Sequence, residues 1–210
     1  MKGLGVSPGV AIGRIFVKKE LNLEVEKQTI QDVPSEQNRL DTAVNKTLKE
    51  IEELYETTIK DIGKNEAEIF LAHKMMAEDP EFIGMAKNMI ANENVNAEWA
   101  IVKARDTFVQ LLEGIKDEYL RERATDVIDV SNRIIANLLG IENTDISFLE
   151  EECILVSNDL APSDTAQMDK DKVLGFITEV GGKTSHTSIM ARTLEIPAVV
   201  GVKDITLEAK

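Results

Sequence analysis

The hydrophobic period of this chain changes twice, and that constrains its fold more than any other feature. Up to about residue 30, apolar residues sit in short β-branched runs. One is Gly9-Val10-Ala11-Ile12-Gly13-Arg14-Ile15-Phe16-Val17, which reads as strands around a Ser7-Pro8-Gly9 turn. From about Pro34 to Gly140 the period becomes helical. Leu40, Val44, Leu48, Ile51, Tyr55, Ile59 and Ile62 are spaced three or four apart, one stripe on one helix. Gly63 is expected to end it. Asn65 and Glu68 are spaced as a capping box for the next helix, and Asp79-Pro80 starts a third. Ile101, Ala104, Phe108, Leu111 and Ile115 mark a long fourth helix. Leu120, Ala124, Val127, Ile134 and Leu138 mark a fifth, closed by Gly140. After Ile141, short apolar strands alternate with helical or turn segments at 152–157, 163–168, 173–180, 185–195 and 197–202. The early strands need partners and the late segment offers a sheet. The expected architecture is therefore a discontinuous α/β domain, residues 1–30 and 143–210, with an all-helical bundle, residues 31–142, inserted into it.

Composition narrows the function. At 210 residues the chain has room for one large domain or two small ones. Its formal charge of −14 argues against a nucleic-acid backbone or an anionic membrane surface as partner, and for a basic protein surface. The single cysteine, Cys153, cannot form an internal disulfide and lies in an apolar strand-like run, which suits a reducing cytosol. No run approaches the roughly 20 apolar residues that cross a bilayer, and the start lacks a signal peptide's apolar stretch. A soluble, cytoplasmic protein is expected. With two histidines and one cysteine, no metal cluster is expected at recognised spacings. The sequence has neither a GxxxxGK[ST] loop nor a GxGxxG turn.

Chemistry concentrates in one string: Gly181-Gly182-Lys183-Thr184-Ser185-His186-Thr187-Ser188-Ile189-Met190-Ala191-Arg192. It follows the strand-like run Val173–Thr178 and runs into a helix-forming segment. Glycines let backbone N–H groups turn inward, and a helix start supplies free N–H donors and a positive dipole end. Thr184 or Ser185 would cap that helix, leaving His186 in its first turn. The positive helix end disfavours imidazolium, so the ring keeps a lone pair able to attack phosphorus.

This string resembles the phosphohistidine signature of the enzyme I family of the bacterial phosphoenolpyruvate-dependent sugar phosphotransferase system. Two further segments in the same order are similar to that family, Gly5–Gly13 and Asp159–Gln167. The resemblance implies an α/β swivelling phosphohistidine domain carrying a helical insertion, with His186 passing phosphate to and from a histidine on the small carrier HPr. A nucleophile that is also a good leaving group suits such a relay. Gly182, Lys183, Thr184 and Ser185 are then placed to neutralise the phosphoryl group, and Thr165 matches the family's threonine beside the active histidine.

In the helical part, the resemblance implies HPr contacts at Glu66, His73, Met75, Met76, Asp79, Glu81, Phe82 and Arg123. Pro80, Lys64 and Asn65 depart from acidic residues of a well-known relative. The family's Mg²⁺ and its dimerisation belong to a phosphoenolpyruvate-binding barrel that does not follow in this sequence. The expectation is a monomeric fragment of a homodimeric enzyme, needing no cofactor and unreactive toward phosphoenolpyruvate by itself. Two alternatives stand beside it: the swivelling domain of a dikinase or synthase-type enzyme, and a helical phosphorelay module in which an exposed His73 is the acceptor.

Overall fold

A computed structural model describes residues 2–18, 23, 25–141, 146 and 149–209. The chain divides into two compact units. One gathers Met1–Leu21, Lys60–Glu66 and Thr144–Lys210; the other gathers Asn22–Ile59 and Ala67–Asn143. The expected boundaries were 30/31 and 142/143; the chain divides at Leu21/Asn22 and Asn143/Thr144, and Lys60–Glu66 groups with the first unit.

Five helices make the second unit: α1 (Val33–Asp61), α2 (Lys64–Ala77), α3 (Pro80–Glu93), α4 (Ala97–Glu113) and α5 (Glu118–Leu139). The apolar stripe of α1 starts as expected at Leu40, Val44 and Ile51. It then follows Leu54 and Thr58 into the core, leaving Tyr55 half-buried and Ile59 exposed. A straight helix turns 3.6 residues at a time, so a track of mostly four-residue steps rotates out of the core. Helix α2 begins at Lys64, which puts Asn65 inside its first turn rather than at a cap. The punctuation of α3 is as expected. Asp79 is its N-cap, accepting from the amides of Glu81 and Phe82 at 2.7 and 3.1 Å, and Pro80 is its first residue. Gly140, at φ 68°, caps α5 in the left-handed conformation. Ile115 lies beyond the end of α4, and Leu111 is exposed on it.

The bundle closes at its entry through a charged clasp. Arg39 donates to both oxygens of Glu98, at 2.7 and 2.8 Å, and to both oxygens of Glu36, at 3.1 and 2.6 Å. Glu36 in turn accepts from the Ala97 amide at 2.6 Å, one of the orphan donors at the start of α4. Burial pushes the Glu98 carboxyl up, but Arg39, with help from backbone and Asn96 donors, holds it below its ordinary value.

The first unit is built on a five-stranded sheet. Its strands are β1 (Leu4–Ser7), β2 (Arg14–Val17), β3 (Cys153–Ser157), β4 (Val173–Thr178) and β5 (Ala198–Val200), in spatial order β1-β5-β4-β3-β2. All pairs are parallel except β1 with β5. The two early strands thus occupy opposite edges of a sheet whose middle comes from the end of the chain, which is the discontinuous domain expected.

The segment between β1 and β2 has to cross from one edge to the other, and glycines permit it. A Cβ on Gly9, at φ 137°, would lie 2.5 Å from the Pro197 ring. One on Gly175 of β4 would meet Ala11 and the Pro197 carbonyl at 3.0 and 3.1 Å. Three short helices complete the unit: α6 (Pro162–Ala166), α7 (His186–Thr193) and α8 (Ile205–Glu208). Strand β3 is buried on both faces, Leu155 in the larger core with Phe176 and Val200, and Val156 in a smaller one with Val202 and Ile205. Burying a side chain such as Leu155 or Phe176 fully contributes about 1.5–3 kcal/mol.

Candidate functional site

Helices α6 and α7 follow the carboxyl ends of β3 and β4, the end of a parallel sheet where ligand sites form. Ser185 is the N-cap of α7, its side chain accepting from the Ser188 amide at 3.3 Å, and His186 is the first helical residue. Thr165, 1% exposed on α6, faces the histidine across the two connections. Its Oγ1 is 2.9 Å from the Pro162 carbonyl and 3.2 Å from His186 Nε2. A carbonyl can only accept, so the single hydroxyl proton of Thr165 goes to Pro162. The hydroxyl is then left to accept from Nε2–H. That arrangement satisfies both groups and holds the half-buried ring in one tautomer.

The loop before α7 is fixed from within. The hydroxyls of Ser185 and Ser188 both donate to the Gly182 carbonyl, at 3.0 and 2.6 Å. Gly181 turns there at φ 118°. Ser185 was expected among the groups facing a phosphate. Its hydroxyl serves as the cap, one of the two candidates expected, and as a loop tie. Lys183 and Thr184 are exposed and Gly182 is half-buried.

Long-range bonds that sequence reasoning missed seat the helix. Thr187 donates to the Leu160 carbonyl at 3.0 Å, tying α7 to the connection that leads into α6. Ser7 donates to the Ala191 carbonyl at 3.3 Å. Arg192 donates to the carbonyls of Lys183 and Val6, at 3.2 and 3.4 Å. One arginine therefore joins the glycine loop to β1. Beside Thr165, Asp164 pairs with Lys18 at 2.6 Å and accepts from the Ala161 amide at 2.9 Å, fixing the start of α6.

The second unit holds a separate feature. A groove of about 430 Å³ lies between α2, α3, α4 and α5, lined by Met75, Met76, Asp79, Phe82, Phe108, Leu112, Arg123 and Val127 among others. Five of the eight residues expected to face a partner are thus brought together: Met75, Met76, Asp79, Phe82 and Arg123. Met75 is 72% exposed, while Phe82 is buried at the groove floor, edge-on to Phe108. Glu81 is exposed and Glu66 half-buried, and neither lines the groove.

His73 departs most from expectation. It is 2% exposed and packs against α5, with Nε2 3.5 Å from Asp126 Oδ1 and Nδ1 3.9 Å from Asp129 Oδ2. Acidic residues spaced three apart on α5 draw the imidazole inward, and only their place among the buried positions Val127 and Val130 hinted at it.

Among the described residues, no group of three or more histidine, cysteine or carboxylate side chains could hold a metal ion, and no helix is long and apolar enough to cross a membrane.

With this geometry in hand, the similarities are direct. Residues 2–123 match the family described as PEP-utilising enzyme, N-terminal, and residues 149–210 match PEP-utilising enzyme, mobile domain. The phosphoenolpyruvate-protein phosphotransferase of Bacillus subtilis (strain 168) is 44% identical over 206 residues, covering 98% of this chain but 36% of that protein. The chain therefore spans little more than a third of the length of this relative. An NMR solution structure of Enzyme I (nEIt) is 47% identical with a TM-score of 0.81, over 100% of this chain and 85% of that one. The N-terminal domain of Enzyme 1 - Nitrogen is 26% identical with a TM-score of 0.66, over 95% and 82%. The whole chain, with its sheet completed by the first strands and its helical insertion, is thus similar to a solved relative, and the chain belongs to the Enzyme I family of PEP-utilising enzymes, spanning its N-terminal and mobile domains.

Proposed function

We propose that this chain carries a phosphoryl group on His186 and exchanges it with a histidine of the small phosphocarrier HPr, as the N-terminal part of a phosphoenolpyruvate-protein phosphotransferase. The observation that carries the reading is Thr165 Oγ1 at 3.2 Å from His186 Nε2, at the start of a capped helix and the carboxyl ends of two parallel strands. In the exchange, the bond from phosphorus to the carrier's imidazole nitrogen breaks as a bond to a His186 nitrogen forms, so that one PO₃ group moves and no proton need leave the pair. Such a step needs in-line positioning and charge neutralisation. Thr165 orients the ring. Amide groups of the first turn of α7, the backbone of Gly182 and Lys183, and the exposed side chains of Lys183 and Thr184 supply donors for the phosphoryl oxygens.

The groove of the helical unit is the docking site in this reading. Its methionines adapt to a partner's apolar side chains. Asp79 on its wall and the nearby Glu81, on a chain of charge −14, attract a basic carrier. In this reading Mg²⁺ and phosphoenolpyruvate act elsewhere in such an enzyme, and a reducing cytosol suits the buried Cys153 thiol, whose pKa burial raises. His73, at 2% exposure, is not accessible as an acceptor.

The test is phosphorus NMR after mixing with phosphorylated HPr. The expected result is one acid-labile phosphohistidine signal on this chain, returned to fresh HPr on dilution. Phosphate that stays on the carrier would overturn the proposal.

A further inference from the structure

We propose that His73 is a positioning residue for the docking groove: it shares the Asp126 carboxylate with Arg123 and so fixes the guanidinium on the groove wall. This rests on the reading that the groove docks HPr. The two oxygens of Asp126 are divided. Oδ1 faces His73 Nε2 at 3.5 Å, and Oδ2 accepts from Arg123 Nη1 at 2.9 Å. The carboxylate side chain is 8% exposed and the guanidinium side chain 28%, so the chain of contacts runs from the core to the groove.

Three observations support a positioning role over simple filling. First, the imidazole is a polar ring in a site that an apolar side chain would fill without leaving a polar atom unmatched. Among the described residues its Nε2 has no hydrogen-bond partner within ordinary geometry, and at 3.5 Å from Asp126 Oδ1 it faces the carboxylate as a polar neighbour rather than through a well-made hydrogen bond. Second, the ring is held edge-on by Phe70, with centroids 5.6 Å apart, and flanked by Asp129, so it borders the Asp126 carboxylate from a fixed place in the core. Third, burial would push the Asp126 carboxyl up, yet His73 and Arg123 hold it below the ordinary range. It therefore remains an anion able to fix Arg123.

Where the Asp126 carboxylate is free to turn, Arg123 loses one of its contacts and samples more rotamers. Freezing it on docking then weakens binding. A residue with no exposed surface can in this way affect a surface contact.

The experiment uses the full chain with His73→Leu, His73→Gln, Arg123→Ala and the His73→Leu/Arg123→Ala pair. Two quantities are read: the Arg123 side-chain Nε–Hε NMR signal with no partner present, and the Kd for HPr by calorimetric titration. His73→Leu should broaden or shift the Arg123 signal and weaken HPr binding by about threefold to tenfold, the scale of one lost, partly exposed charge contact. His73→Gln, which keeps a polar group facing Asp126, should keep the signal and most of the affinity. In the Arg123→Ala background, His73→Leu should add nothing. Should His73→Leu fail to fold, His73→Met, flexible and apolar, takes its place.

An unchanged Arg123 signal in the apolar variant, or an equal loss of affinity with and without Arg123, overturns the proposal. If the parent itself does not bind HPr, the docking reading fails, while the partner-free Arg123 signal still decides whether His73 positions it.

Discussion

Replacing Thr165 by valine isolates the contact on which the site depends. Valine keeps the shape and burial of the side chain, 1% exposed, and removes only the hydroxyl. Two groups then lose a partner: the Pro162 carbonyl at 2.9 Å and His186 Nε2 at 3.2 Å. The Pro162 carbonyl lies within α6 and keeps that helix's backbone donor, so valine costs one side-chain hydrogen bond, about 0.5–1.5 kcal/mol, rather than leaving a buried acceptor unsatisfied. The half-buried imidazole can rehydrate and adds little. The net loss should be about 0.5–1.5 kcal/mol, which at about 2–4 °C per kcal/mol for a chain of this size lowers the thermal midpoint by about 1–6 °C.

The chemistry should suffer separately. Without Thr165 the ring is no longer held in its Nε2–H tautomer, and losing about 1.4 kcal/mol of orientation slows exchange with phosphorylated HPr about tenfold. Imidazole ¹⁵N NMR reads the tautomer, and rapid-quench transfer reads the rate. Thr165→Ser, which retains the hydroxyl, should lose some stability yet keep the parent's tautomer and rate. A valine variant with the parent's tautomer population and transfer rate would refute the reasoning, whatever its stability.

Three further outcomes follow from the same geometry. Glu98 is held below its ordinary value of 4.5 by Arg39 against the effect of burial, so it contributes stability above pH 4.5 that is lost as pH falls through the lower folded value. The urea midpoint of Glu98→Gln should therefore be lower than the parent's near pH 6 and fall less steeply below pH 4.5; parallel curves would sink this assignment. Arg192→Ala removes the donor that joins the Lys183 and Val6 carbonyls. It should cost less than about 1 kcal/mol in stability yet speed amide exchange across Gly181–Ser185, and unchanged exchange there would count against the clamp. Met75→Glu places a charge on a side chain 72% exposed at the groove. It should weaken HPr binding at least about tenfold while leaving stability within about 0.5 kcal/mol; undiminished binding would move docking elsewhere.

Local signals in the sequence were read well because they act over a few residues. Asp79-Pro80 and Gly140 punctuate helices through bonds and backbone angles made within one turn, and the glycine string before His186 carries its own cap in Ser185. The partnership of the first strands with the last was legible too, since strands without partners must find a sheet. Less legible was anything set by distant pairing. The drift of the α1 stripe onto Leu54 and Thr58 depends on which neighbours α1 meets. The burial of His73 depends on Asp126 and Asp129, more than fifty residues away in the chain. Ser7, Thr187 and Arg192 seat α7 through carbonyls that carry no side-chain signature.

The central claim concerns a single imidazole, and mass spectrometry of phosphorylated protein at neutral pH addresses it most directly. After incubation with phosphorylated HPr, the parent should gain one phosphoryl group on His186, and His186→Ala should gain none while retaining its fold and its affinity for HPr. A His186→Ala variant that takes up phosphate as readily as the parent would contradict the account.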